Sequence, residues 1–129
     1  DVGEVSNFGL LPATIAALEQ TLAWGVDNIQ QTLRELTVLI AAHAESLGLG
    51  VVPAQNRSGH LIGLRLGGRD PRRLATALAA AQVFVSVRGD SVRVAPHVYN
   101  NGDDIERFGE VLAGALTSSA APIPADISQ

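Results

Sequence analysis

The stretch VFVSVRGDSVRVAPHVYNNGDDIERF, residues 83–108, constrains the fold more than any other part of the chain. Its two valine-rich runs alternate apolar and polar residues, the period of a strand with one buried face. Between them Gly89-Asp90 suits a two-residue turn, glycine supplying a positive φ at the first position. That turn pairs Arg88 with Ser91, Val87 with Val92, Ser86 with Arg93 and Val85 with Val94. Paired residues share a face, so Val85, Val87, Val92 and Val94 form an apolar side and Ser86, Arg88, Ser91 and Arg93 a polar one. Slipping either strand by one residue would mix the two sides, so the pattern itself selects the register. Pro96 ends the second strand. Asn101 can cap a helix whose first turn holds Asp103 and Asp104, where the helix dipole favours negative charge. Ile105, Phe108, Leu112 and Leu116 make the inner stripe of that helix.

Upstream, residues 1–9 read as an entry loop. Residues 10–24, LLPATIAALEQTLAW, suit a helix with proline in its first turn, ended by Gly25. This helix is apolar nearly all round, which predicts burial between layers. A second helix is predicted over 26–47, with Ile29, Leu33, Leu36, Ile40, Ala44 and Leu47 in one stripe and Gln30, Arg34 and Glu45 on the wet side. Gly48 and Gly50 stop it. Val51-Val52 can begin a short strand, and residues 60–66, HLIGLRL, form another. Asp70 and Pro71 start a third helix as N-cap and first helical residue, running to about Ala81 with Leu74 and Leu78 inward. The order predicts an α+β fold: a small three- to four-stranded sheet with helices packed on one face. The domain spans 1–116, with two helices over 10–47 and the sheet and remaining helices over 51–116. Residues 117–129 read as a flexible tail.

Composition bounds the function classes. The 129 residues suffice for one domain with a core, and the net charge is −4. Neither nucleic acid nor an anionic membrane suits such a balance, although local arginines can still bind a small anion. The chain has no cysteine, hence neither disulfides nor thiolate metal sites. No apolar run approaches the ~20 residues of a membrane span. No basic-then-apolar leader opens the chain, and a cytoplasmic location is expected. There is no methionine, even at position 1, so the chain is read as a fragment or processed product. All nine basic residues are arginine.

Several residues invite a chemical reading. Arg88 and Arg93 face the same way on one hairpin. They can clamp a carboxylate through paired hydrogen bonds, or can simply be solvated on an open sheet face. Arg88-Gly89-Asp90 matches an adhesion tripeptide but is explained by turn chemistry. His43, His60 and His97 lack metal-ligand spacing; His43 suits a structural role, and His97, at a strand end, is the one placed to line a site. No glycine-rich phosphate loop and no nucleophile motif is present.

The run from Val-Arg-Val through Pro-His and Tyr-Asn to an acidic helix start resembles the C-terminal small domain of class V aminotransferase-like enzymes. RSGHLIGLRL and GEVSNFGLLPATIAALEQ support the likeness, which covers about residues 1–116. These are fold type I pyridoxal-phosphate enzymes, among them cysteine desulfurases, selenocysteine lyases, kynureninases and isopenicillin N epimerase-like proteins. The resemblance implies that Arg93 binds the α-carboxylate of an amino-acid substrate, and that Asn100 orders the loop before the last helix. It implies no general role for Arg88, which stays a candidate with His97. Many members carry Gly-Thr near the start of this region, the threonine meeting the cofactor phosphate of the neighbouring subunit. Here Gly3-Glu4 stands there, and Ser6 or Asn7 would have to supply neutral donors. The resemblance also implies a homodimeric parent enzyme with a large N-terminal domain carrying the Schiff-base lysine.

This chain has no lysine, and arginine is too basic and too poor a nucleophile to replace one. The chain alone is therefore expected to bind no cofactor and to contain no catalytic residue. Two functions follow: the substrate-binding small domain of a pyridoxal-phosphate enzyme, or a stand-alone, non-catalytic module for anion binding or association.

Overall fold

Antiparallel pairing brings the predicted strands into one four-stranded sheet. The computed structural model describes residues 8–119. Helix α1 spans Leu11–Trp24, after a single 3-10 turn at Phe8–Leu10, and α2 spans Val26–Ser46. Strands β1 (Gly50–Val51) and β2 (Ile62–Arg65) follow, then α3 (Pro71–Ala80), β3 (Ser86–Arg88), β4 (Ser91–Val94) and α4 (Gly102–Ser119). The strand order is β1-β2-β4-β3, with every neighbouring pair antiparallel. The chain has an α+β fold, as the pattern of elements predicted.

The hairpin register is the one the alternation selects. Ser86 pairs with Arg93, Val87 with Val92 and Arg88 with Ser91. Gly89 has a φ of 57°, the positive value its turn position requires. The ladder stops one step earlier than predicted: β3 begins at Ser86, so Val85 and Val94 do not pair. On its other edge β4 pairs with β2: Val94 lies opposite Ile62, Arg93 opposite Gly63, Val92 opposite Leu64 and Ser91 opposite Arg65.

Alternation therefore sorts the sheet into two faces. Ile62, Leu64, Val92 and Val94 are buried under the helices together with Leu33, Leu36, Ile40 and Ala44 of α2, Leu74 and Leu78 of α3, and Ile105, Phe108, Leu112 and Leu116 of α4. Helix α2 meets β1 and β2, and α3 meets β3 and β4. The predicted stripes of α2, α3 and α4 are thus the core.

Local chemistry sets the helix ends. Asp70 Oδ1 accepts from the Arg72 amide at 2.8 Å, with Pro71 at the first helical position. Gly48, at a φ of 74°, turns the chain after α2. Thr37 is buried in α2, and its hydroxyl lies 3.1 Å from the Gly59 carbonyl. Arg57 donates to the carbonyls of Val52 and Thr37, tying the loop between β1 and β2 to α2. Helices α2 and α4 touch closely at Gly109, where a Cβ would lie 2.5 Å from His43 Nδ1. His43 Nε2 is 3.5 Å from Glu106 Oε1 in the same seam, in keeping with its structural reading.

Three expectations need correction. Helix α1 is not buried between layers: none of its residues is buried, and Leu18 and Leu22 are 59% and 72% exposed. Its main contacts among the described residues are with the preceding turn and α2, because the sheet face is already filled by the other helices. Helix α4 continues to Ser119, past the point where the tail was expected to start, and residues 120–129 of that tail lie outside the described residues. The strands predicted over 51–52 and 60–66 are Gly50–Val51 and Ile62–Arg65.

Candidate functional site

The open sheet face is built from the alternate residues that the core does not use. Arg93 stands in the middle of β4 and is half-buried, with neighbours on both sides of its strand. Toward β3 it meets Ser86, whose Oγ accepts from Arg93 Nε at 3.3 Å. Toward β2 it meets Gly63, where an added Cβ would find nothing within 4 Å. The Nε side of the guanidinium is thus held by the sheet, and its two terminal nitrogens have no hydrogen-bond partner among the described residues. That is the edge through which arginine grips a carboxylate with two parallel bonds.

Arg88 lies on the same face, at the exposed end of β3, across from Ser91. The Ser91 hydroxyl is engaged with Asp90 Oδ1 in the turn at 2.9 Å. A third arginine, Arg65, shares the face because β2 is the other neighbour of β4. Sequence reasoning missed it. The alternation of Ile62, Leu64 and Leu66 did put Arg65 on the polar side, but only the strand order reveals whose side that is. Its stem runs over Gly50 on β1, with Cβ 3.3 Å from where a glycine side chain would begin. No strand residue is acidic, and among the described residues none of these arginines forms an ion pair. A chain of net charge −4 therefore gathers three positive charges on one sheet face.

The loop after β4 is ordered by Asn100, as the resemblance implied. Its Oδ1 accepts from the His97 amide at 2.9 Å, and its own amide donates to the His97 carbonyl. Asn100 Nδ2 also donates to Asp104 Oδ2. Asn101 and Asp104 form a reciprocal cap, each side chain accepting from the other's amide at 3.1 Å. The Asn100 side chain, and then the Asn101 amide, hold the Asp104 carboxyl below its ordinary range.

His97 is exposed and stacks on Tyr99, ring centroids 4.6 Å apart. The two line a shallow cleft of about 390 Å³ with Trp24, Asn28 and Thr32, on the α1–α2 side of the loop. No contact joins His97 to Arg93 or Arg88. Ser6 and Asn7, the residues proposed to meet cofactor phosphate, lie outside the described residues, as does Gly3-Glu4. Among the described residues no cluster of histidine and acidic groups could hold a metal ion, and no helix is long and apolar enough to cross a membrane.

The sequence matches no family model and no curated protein. Its structure is similar to solved ones. A NifS-like protein superposes with a TM-score of 0.66 at 13% identity, over 71% of this chain and 29% of that one. A cysteine desulfurase from Thermococcus onnurineus NA1 gives 0.65 at 18% identity, over 74% and 28%. Ureidoglycine-glyoxylate aminotransferase from Bacillus subtilis gives 0.66 at 18%, over 81% and 30%. The chain spans less than a third of the length of each of these structures. It has the fold of the small domain of class V aminotransferase-like, fold type I pyridoxal-phosphate enzymes.

Proposed function

We propose that this chain is the substrate-binding small domain of a pyridoxal-phosphate enzyme of the class V aminotransferase and cysteine desulfurase type, and that Arg93 holds the substrate α-carboxylate. The observation that carries this reading is the setting of Arg93. It is anchored through Nε by Ser86 and opened on the other side by Gly63, leaving its two terminal nitrogens available. An arginine merely solvated on a sheet needs no such vacancy beside it.

The cofactor does not fit this chain alone. With no lysine, the chain offers no side chain to anchor pyridoxal phosphate covalently. The group would be held by a large domain, where it supplies the electron sink for bond cleavage at the amino acid. The residues here bind and orient the substrate. The exposed leucines of α1 support the same arrangement, since they offer an apolar seat for that large domain. Incubation of the chain with pyridoxal phosphate, followed by borohydride reduction and mass spectrometry, should give no adduct apart from one on the N-terminal amine.

The decisive test is made in the enzyme with its large domain present. A charge-assisted pair with a carboxylate contributes roughly 1.5–3 kcal/mol. Arg93→Ala should therefore lower kcat/KM by about ten- to a hundredfold. Arg93→Lys should recover only part, because an ammonium lacks the two-pronged geometry. Near-wild-type kinetics for Arg93→Ala beside a crippled Arg88→Ala would overturn the assignment.

A further inference from the structure

We propose that the open sheet face holds two anionic groups of one ligand, the first on Arg93 and the second on Arg88, so that the amino acid it takes is a dicarboxylate. This deepens, and rests on, the reading of Arg93 given above.

The register carries the argument. Arg93 pairs with Ser86, and Arg88 with Ser91, so the two arginines are diagonal neighbours on adjacent strands of one face. Such positions lie about 7–8 Å apart at the backbone. A short dicarboxylate with one end on each guanidinium bridges that separation. The positions completing the square are both serines, too small to stand between the two arginines. Gly63 keeps the ground beside Arg93 clear.

Charge points the same way. One carboxylate needs one arginine, yet this face presents a second with no acidic partner among the described residues. The carboxylate of Asp90 sits in the turn and is engaged by the Ser91 hydroxyl. Arg65 is not part of the site, because its stem is laid over Gly50 toward β1, on the far side from β3. It serves as the control for charge alone.

The test uses this chain, isotope-labelled, in a chemical-shift titration at low ionic strength with glutarate and with valerate. These probes share a carbon count and differ in the second carboxylate. Glutarate should bind about tenfold more tightly than valerate. Arg88→Gln should bring glutarate down to the level of valerate and leave valerate unchanged. Arg65→Gln removes the same formal charge and should preserve most of the difference. Arg93→Gln should weaken both ligands. If glutarate is no tighter than valerate, or keeps its advantage in Arg88→Gln, or neither probe binds, the dicarboxylate site is wrong. If valerate is insensitive to Arg93→Gln, it is the reading of Arg93 that fails.

Discussion

Helices α1 and α2 are joined through Gly25 and are both rich in apolar residues, yet they have opposite fates. Helix α1 has Glu19 as its one charged residue and buries nothing, whereas α2 carries four acidic or basic side chains besides His43 and buries six residues. Apolar content therefore does not decide which helix enters the core. What decides is segregation. The α2 residues Leu33, Leu36, Ile40 and Ala44 fall on one stripe that meets the sheet, while the apolar residues of α1 are spread round its circumference. A helix without a distinct polar face satisfies no single seam of a small domain, and the sheet here has room only for helices that do. Helix α4 shows the same segregation, with Ile105, Phe108, Leu112 and Leu116 buried on one stripe, and its entry is fixed by the Asn101–Asp104 cap.

The contrast breaks most directly at Ile40, which is fully buried. Ile40→Ala should cost about 2–5 kcal/mol of unfolding free energy, measured by denaturant titration. A loss below about 1 kcal/mol would mean that α2 is not the anchoring helix. Next comes Gly109, where α4 lies against His43. A methyl group there meets the imidazole ring, so Gly109→Ala should destabilise by about 1–3 kcal/mol despite the better helix propensity of alanine.

A smaller effect is expected at the α4 cap. Asn101→Ala should cost about 1 kcal/mol. The Asp104 carboxyl is held below its ordinary value in the folded chain, so its contribution is present above the unfolded-state pKa, near 3.8, and is lost as pH falls through the lower folded value. A carbon-detected NMR titration should place its midpoint below 3.8, and Asn100→Ala should move the midpoint upward. A midpoint unmoved by Asn100→Ala would remove the side-chain bond as the cause.

The smallest effect belongs to α1. Leu18→Ala should change the stability of the isolated chain by no more than about 0.5 kcal/mol, because Leu18 is 59% exposed. A loss as large as that at Ile40 would abolish the distinction between the two helices.

Much of this was legible in local pattern. Period-two alternation selected the 86–93 and 88–91 pairs, and the stripes of α2, α3 and α4 named the core residues before any packing was known. Asp70 and Asn101 announced their helices, because a cap acts over three residues and needs no distant partner. The candidate site was legible only in half. Arg93 with Ser86 belongs to the hairpin, whereas Gly63 and Arg65 arrive from a strand some thirty residues earlier. Thr37 escaped notice because its burial depends on the Gly59 carbonyl, supplied by a loop that local periodicity does not place.

The sequence thus dictated the features whose partners lie within a turn or a hairpin: registers, caps and helix stripes. It could not say that β2 lines the edge of β4 opposite β3, nor that α1 would be left outside. Those outcomes depend on which apolar faces compete for one small sheet. That competition is settled by the summed burial of residues far apart in the chain, and no local pattern records its result.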